Sequence, residues 1–298
     1  MCAFNANLLA DLAHRRVVVF LGSGVSSSAQ TRAGTRMMGW ERFLVLCCDS
    51  VSSDPIKRLI KNLLKQKDYL SACELLKSQL SEKWEYLLRA EYGQVATPSN
   101  LHKAIINLDQ RIYITTNFDK MLENAWRDND TTSTHYPKVL NSATPAAFNM
   151  LRDDSKYIIK LHGDIDNISE MIFTKTEYIK GAFENNIYSE FLSVLFLTHT
   201  FLFIGFSMND PAISQLIEKY AFKFPDGRPH YMFVPKPVAH EIIELNKKIR
   251  KLYLLPYSAM DNHKELEKNI IDLGNAMKLR EKEIVADAKA ALITPQNG

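Results

Sequence analysis

Six short runs of β-branched, aromatic and aliphatic residues punctuate the chain: Val17 to Leu21, Arg111 to Thr115, Tyr157 to Leu161, Thr200 to Ile204, His230 to Val234 and Lys251 to Leu255. Most are apolar almost throughout rather than at alternate positions. A strand with one wet face alternates, and a strand covered by helices on both faces does not, so the pattern predicts a parallel sheet. The segments between the runs read as helices. Phe118 to Trp126 follows the second run, Pro211 to Tyr220 the fourth and Val238 to Arg250 the fifth. Recurrent β then α predicts an α/β protein with a Rossmann-like parallel sheet flanked by helices.

Between Trp40 and His102 no run reads as a strand, and helical periodicity takes over. Ile56, Leu59, Ile60, Leu63 and Leu64 fall on one side there, with Lys57, Arg58, Lys61 and Lys65 on the other. This predicts a helical insertion at 41–105 within a domain spanning 1–275. A second helical stretch, Lys180 to Phe196, places Phe183, Ile187, Phe191, Val194 and Leu195 over the sheet. The lysines of both stretches read as solvated faces. Beyond Gly274 the chain turns Ala- and Lys-rich and closes on Thr-Pro-Gln-Asn-Gly, so 276–298 is expected to form a C-terminal helical tail.

Composition narrows the class. At 298 residues, with 46% hydrophobic and 24% charged positions, the chain can bury a sizeable core, and disorder is excluded. A net charge of +3 without a basic stripe argues against direct nucleic-acid binding. The best apolar run, Phe191 to Gly205, is broken by Thr198, His199 and Thr200, so no membrane helix is expected. The start, Met1-Cys2-Ala3-Phe4-Asn5-Ala6-Asn7, lacks the basic then hydrophobic order of a signal peptide, and a cytoplasmic location follows as an expectation. Cysteines at 2, 47, 48 and 73 form no CxxC pair; they read as reduced thiols, with no metal site expected.

In an open parallel sheet ligands bind outside the carboxyl ends of the strands. The first strand there runs into Gly22-Ser23-Gly24-Val25-Ser26, a turn whose backbone amides can approach a pyrophosphate. Later strands end in Thr115-Thr116-Asn117-Phe118-Asp119, in Leu161-His162-Gly163-Asp164 and in Gly205-Phe206-Ser207-Met208-Asn209-Asp210-Pro211. Each has a bland alternative. Thr116 or Asn117 could cap the following helix, Asp210 could be an N-cap with Pro211 at the first helical position, and His162 could be a turn residue. Gathered at one sheet edge, an amide, a histidine, two carboxylates and two glycine turns favour a nucleotide site with a general base.

These segments resemble, in kind and order, motifs of the sirtuins, and in particular of bacterial sirtuin-like NAD-consuming proteins of anti-phage defence. GSGVS stands for the family's G-A-G-x-S, TTNFD for T-x-N-x-D, LHGD for the catalytic H-G and GFSMNDP for the G-x-S segment, and the likeness covers about residues 10–260. Ile172 to Tyr178 is similar to a short T-x-x-x-Y segment that these relatives carry after the H-G. The departures are also informative. The two CxxC pairs of the deacylase zinc ribbon and the G-x-P-D-F-R element are missing. Thr35-Arg36-Met37-Met38-Gly39-Trp40 keeps the tryptophan of a G-x-P-x-W segment without its proline, and Trp40 is assigned to packing.

The resemblance implies an NAD+ glycohydrolase that cleaves the nicotinamide–ribose bond to give nicotinamide and ADP-ribose or a cyclic form, acting as a defence effector. Histidine titrates near neutrality and suits a general base, here His162, while Asn117 offers a donor and an acceptor to orient ribose or water. By resemblance Gly22, Ser23, Gly24 and Ser26 meet the phosphates and Thr116 contributes to the nucleotide site. Asp119 fixes the nicotinamide ribose side or caps its helix, and Gly205, Ser207 and Asp210 line the adenosine side. NAD+ is the substrate and no further cofactor is implied. Expected partners are further copies of the chain and a HerA-like ATPase or an Argonaute-like sensor. Two alternatives remain open: a zinc-free NAD-dependent deacylase or ADP-ribosyl-transferring enzyme, and a module that senses NAD or an ADP-ribose derivative.

Overall fold

A computed structural model of the chain describes residues 4–94, 96–129, 136–141, 145–184 and 186–293; Cys2, the Phe183 side chain and the closing residues 294–298 lie outside the described residues. The strands are β1 (Val17–Leu21), β2 (Gln30–Thr31), β3 (Ala96–Thr97), β4 (Ile112–Thr115), β5 (Lys138–Leu140), β6 (Tyr157–Lys160), β7 (Thr200–Ile204), β8 (His230–Pro235) and β9 (Leu252–Tyr257). Seven of them form one sheet in the order β5-β6-β4-β1-β7-β8-β9. Every neighbouring pair in it is parallel. This is the α/β, Rossmann-like architecture that the uninterrupted apolar runs predict. The pair β2 and β3 forms a separate antiparallel ribbon.

Burial on both faces explains the composition of the strands. In β1 the side chains of Val17, Val19 and Leu21 enter one core cluster while Val18 and Phe20 enter the opposite one. The helices, in chain order, are α1 (Ala6–Ala13), α2 (Ser23–Ser26), α3 (Trp40–Asp49), α4 (Asp54–Lys65), α5 (Tyr69–Leu80), α6 (Glu82–Tyr92), α7 (Asn100–Ile106), α8 (Met121–Asn129), α9 (Lys175–Tyr178), α10 (Asn186–Thr198), α11 (Pro211–Lys223), α12 (His240–Arg250) and α13 (Met260–Ile293). The first core holds Leu12 of α1, Ile105 of α7, Trp126 of α8 and Ile270 of α13. The second holds Phe191 and Leu195 of α10 with Ile213 and Ile217 of α11.

Helices α3 to α6 build a third cluster around Phe43, Trp84 and the three buried cysteines Cys47, Cys48 and Cys73. Burial pushes the Cys47 thiol up to about 12 and holds Cys73 well above its ordinary value, so both are neutral core residues. On α4, Ile60 and Leu64 are buried, whereas Leu59, expected on the same face, is 49% exposed. Trp40 stacks on Phe43 and Phe173, with ring centroids 5.6 and 5.8 Å away. Among the described residues no helix is long and apolar enough to cross a membrane.

On one side of β1 the sheet extends through β4, β6 and β5, and after β6 the chain crosses to β1's other edge with β7. That reversal opens a crevice at the carboxyl ends of β1, β4 and β7. The four polar segments singled out in the sequence all leave the sheet at or beside it.

Candidate active site

The turn after β1 and the turn after β7 cross with backbone touching backbone. Gly22 N–H donates to the Ile204 carbonyl and Gly24 N–H to the Gly205 carbonyl, each at 3.0 Å. A Cβ at Gly22 would stand 2.4 Å from the Gly205 oxygen. Gly205 adopts φ +62°, and a Cβ there would lie 2.6 Å from the Val25 nitrogen. These glycines are therefore required by the crossing itself, whatever else binds there.

At the end of β4, Thr115 Oγ1 donates to the Leu21 carbonyl at 3.1 Å and accepts the Asn117 N–H at 2.9 Å, joining the β4 turn to β1. The Asn117 amide donates to the Gly22 carbonyl at 2.9 Å and to Ser26 Oγ at 2.8 Å. Ser26 in turn donates to Asp119. With both amide hydrogens engaged, Asn117 has its carbonyl Oδ1 to offer. The helix that follows does not need Asn117 as a cap: α8 begins at Met121, whose N–H is accepted by Asp119 at 2.9 Å. The helix starts three residues later than the expected Phe118, because the backbone around Asn117 and Asp119 is occupied by this network.

Beneath the two polar turns lies Lys160, fully buried at the end of β6. Its ammonium donates to the Phe118 and Asp119 carbonyls at 3.2 and 2.6 Å, to Glu123 at 3.0 Å and to Asp164 at 2.7 Å. Lys120 adds a second cation to Asp164 at 2.9 Å. Burial opposes ionisation of Asp164, but the two lysines outweigh it and hold that carboxyl below its ordinary value. For Glu123 burial prevails and the carboxyl is raised. The cluster ties the turn carrying Asn117 to the one carrying His162. Gly163, at φ +88°, lets the second turn reverse tightly, since a Cβ there would sit 3.0 Å from Met171 Cα.

His162 is partly open to a cavity of about 800 Å³. Ser23, Ser26, Thr116, Asn117, Asp119, Ser207 and Asp210 share its lining, opposite an aromatic wall that includes Trp40, Phe118 and Phe173. Gly24 and Gly205 line a second cavity of about 430 Å³ across the glycine crossing. Gly22 lies between, packed on Gly205. Asp210 does cap α11, accepting the Ile213 N–H at 3.1 Å. Its other oxygen, Oδ2, faces His162 Nε2 at 3.3 Å, while the Tyr178 hydroxyl donates to the capping oxygen Oδ1. The carboxylate is therefore turned toward the histidine. Burial alone would raise the Asp210 carboxyl, but His162, the Tyr178 hydroxyl and the Ile213 N–H together hold it below its ordinary value.

Sequence reasoning did not place Tyr178 or Lys160 in the site. Tyr178 had a signal, the T-x-x-x-Y segment, whose Thr174 and Glu177 form a capping box that fixes α9. Lys160 had only the anomaly of a lysine ending an apolar strand. Among the described residues no group of three or more His, Cys, Asp or Glu side chains is placed to hold a metal ion.

Residues 111–255 match the SIR2-like domain, a span that contains Asn117, His162, Ser207 and Asp210. The likeness to that domain covers just under half of the chain. It is 25% identical to the NAD(+) hydrolase ThsA of Enterococcus faecium over 76% of its own length and 44% of that protein. It is 24% identical to the NAD(+) hydrolase ThsA of Bacillus cereus (strain MSX-D12), with the same two shares. Defense-associated sirtuin 2 of Bacillus subtilis is 22% identical over 76% of the chain and 22% of that protein. The chain thus spans less than half the length of these curated relatives.

Proposed function

We propose that this sirtuin-like chain hydrolyses NAD+ at the nicotinamide–ribose bond, as an effector of anti-phage defence. The observation that carries the reading is the convergence of Asn117 and His162 on one cavity, with Asn117 locked by two donated hydrogen bonds so that its carbonyl oxygen remains to be used. Nicotinamide leaves as a neutral base with the bonding electron pair, so it needs no protonation. The ribose left behind has oxocarbenium character. Asn117 Oδ1 accepts a hydrogen from the attacking water or a ribose hydroxyl and sets its direction. His162 takes the proton released as the water oxygen bonds to the anomeric carbon. The products are nicotinamide and ADP-ribose; capture of the same carbon by a nucleophile within the nucleotide would give the cyclic form.

The cavity geometry supports a two-sided binding mode. Ser23 and Ser26 lie on the His162 side of the glycine crossing, where the ribose and phosphates enter, and Ser207 on its rim. Gly24 and Gly205 face the second cavity, which has room for the adenosine half. The relatives named NAD(+) hydrolase support the same substrate. No cofactor besides the substrate takes part in this scheme. The proposal extends to assembly of several copies and to control by a HerA-like ATPase or an Argonaute-like sensor in the cytoplasm. The test is incubation of the purified chain with NAD+, alone and with the proteins encoded beside it, with products separated chromatographically. Nicotinamide appearing in step with ADP-ribose or its cyclic form is expected. NAD+ bound but unconsumed in every combination would replace hydrolysis with the sensor reading.

A further inference from the structure

The reaction scheme makes no use of Tyr178 or of the Asp210 carboxylate, yet the structure joins both to His162. We propose that Asp210, backed by Tyr178, is a positioning residue that holds the His162 ring with its proton on Nε2 and presents Nδ1 to the reacting water; the proposal rests on His162 being the base.

Three separately anchored segments meet here. His162 comes from the turn after β6, Tyr178 from the end of α9 and Asp210 from the N-cap of α11. His162 Nε2 is closed off from solvent and has no formed hydrogen bond; the acceptor it faces is Asp210 Oδ2, 3.3 Å away. An ionised carboxylate only accepts. The ring nitrogen facing it must therefore carry hydrogen, and a neutral imidazole has a single N–H, which leaves the lone pair on Nδ1. The pair is close but not aligned as a hydrogen bond, as catalytic pairs often are before substrate binds, and it tightens in the complex.

The carboxylate is itself held in place. Asp210 Oδ1 accepts from the Tyr178 hydroxyl and from the Ile213 N–H, and the same hydroxyl accepts the Ala212 N–H at 2.7 Å. The Tyr178 ring also meets the His162 ring edge-on, with centroids 6.0 Å apart and planes at 84°. Rotation of the carboxylate would break the helix cap, and rotation of the imidazole would meet the tyrosine. One pair thus fixes both the tautomer and the direction of the histidine.

Helix capping is the competing explanation for Asp210, and it makes a different prediction. Asn and Ser cap helices about as well as Asp. In Asp210→Asn and Asp210→Ser the cap survives, but the obligate acceptor is gone, so the two neutral tautomers mix. The experiment is nitrogen-15 NMR of the histidine rings in the full chain at alkaline pH, with the His162 signal assigned by its loss in His162→Gln. Steady-state kinetics of the triggered enzyme with NAD+ run alongside. The wild-type ring should be protonated on Nε2, and both variants should mix tautomers. Their kcat should fall about 10²-fold or more while KM stays within about twofold, and Tyr178→Phe should lose about 3- to 10-fold in kcat.

The wild-type tautomer decides even where a variant does not fold: a proton on Nδ1 overturns the proposal. So does an unchanged tautomer or an unchanged kcat in the folded variants. A loss confined to KM overturns it too and returns Asp210 to nucleotide binding. If the wild-type chain turns over no NAD+ under any trigger, the hydrolase reading fails, while the ring measurements still decide what Asp210 does to His162.

Discussion

Replacing Asn117 with alanine separates chemistry from architecture with unusual directness, because the structure limits what the side chain can contribute to stability. Its amide makes two hydrogen bonds, each worth about 0.5–1.5 kcal/mol net, so about 1–3 kcal/mol is at stake. The lower end applies, since no partner is orphaned. The Gly22 carbonyl still accepts the Val25 N–H at 3.0 Å, and Ser26 still donates to Asp119. The expected change is a melting temperature lower by several degrees at most. Turnover should behave otherwise: loss of the oriented acceptor removes about 10²-fold or more, equivalent to about 2.7 kcal/mol of the barrier. His162→Ala should lose about 10²- to 10⁴-fold, and the double variant should be little worse than the poorer single one, because residues acting on one water are not additive. The assay is nicotinamide release by the triggered enzyme, with NAD+ binding measured separately and folding checked by thermal melting. Full turnover by folded Asn117→Ala would refute the assignment.

Three further expectations concern the frame around the site. Gly205→Ala forces an L side chain into a positive φ and against the Val25 nitrogen, so it should destabilise by at least about 1–3 kcal/mol in a denaturant melt; an unchanged midpoint would mean that the crossing relaxes freely. Lys160→Met strips the cation from Glu123 and one of two from Asp164, and should lower stability by about 3–5 kcal/mol; Glu123→Gln in the same chain should recover part of it, and a single variant as stable as wild type would contradict the clamp. Burial pulls His102 down to about 4 and His230 to about 3 from an ordinary 6.5. Below that ordinary value the unfolded chain binds protons that the native chain refuses, so stability is full above about pH 6.5 and falls on acidification by up to about 1.4 kcal/mol per pH unit for each histidine. Urea titrations at pH 7.5 and pH 5 measure this, and equal stabilities would overturn it.

The sheet was legible because its physics is written in uninterrupted apolar runs. Strands such as β1 and β7 are buried at every position, and only a layer of helices on each face makes that sequence sensible. The strand that escaped notice, β5, is three residues long at the sheet edge and largely exposed, so it carries no such run. The ribbon of β2 and β3 is two residues per strand and equally silent. Within the site, residue types at strand ends were readable, but side-chain pairings were not. Asp210 carries a strong N-cap signal followed by proline, and nothing local to it announces a histidine 48 positions earlier in the numbering. Asn117 is ambiguous in sequence between cap and reactive group, and the fold speaks only to the first: α8 starts at Met121 with Asp119 as its anchor. The glycines illustrate the reverse: their spacing pointed to phosphate, whereas the close approach of two turns already demands them.

That crossing of Gly22 and Gly24 over Gly205 has a mechanical consequence. Side chains at an ordinary packing contact act as springs, absorbing small displacements by changing rotamer. Here the contact of Gly22 and Gly24 with Gly205 is backbone on backbone, which leaves little to yield. The Gly22 carbonyl that rides on this joint is also the acceptor that holds the Asn117 amide. The turn after β7 and the Asn117 amide are thus joined through backbone rather than through side-chain packing. The joint that parts the two cavities is thus the same one that holds the Asn117 amide.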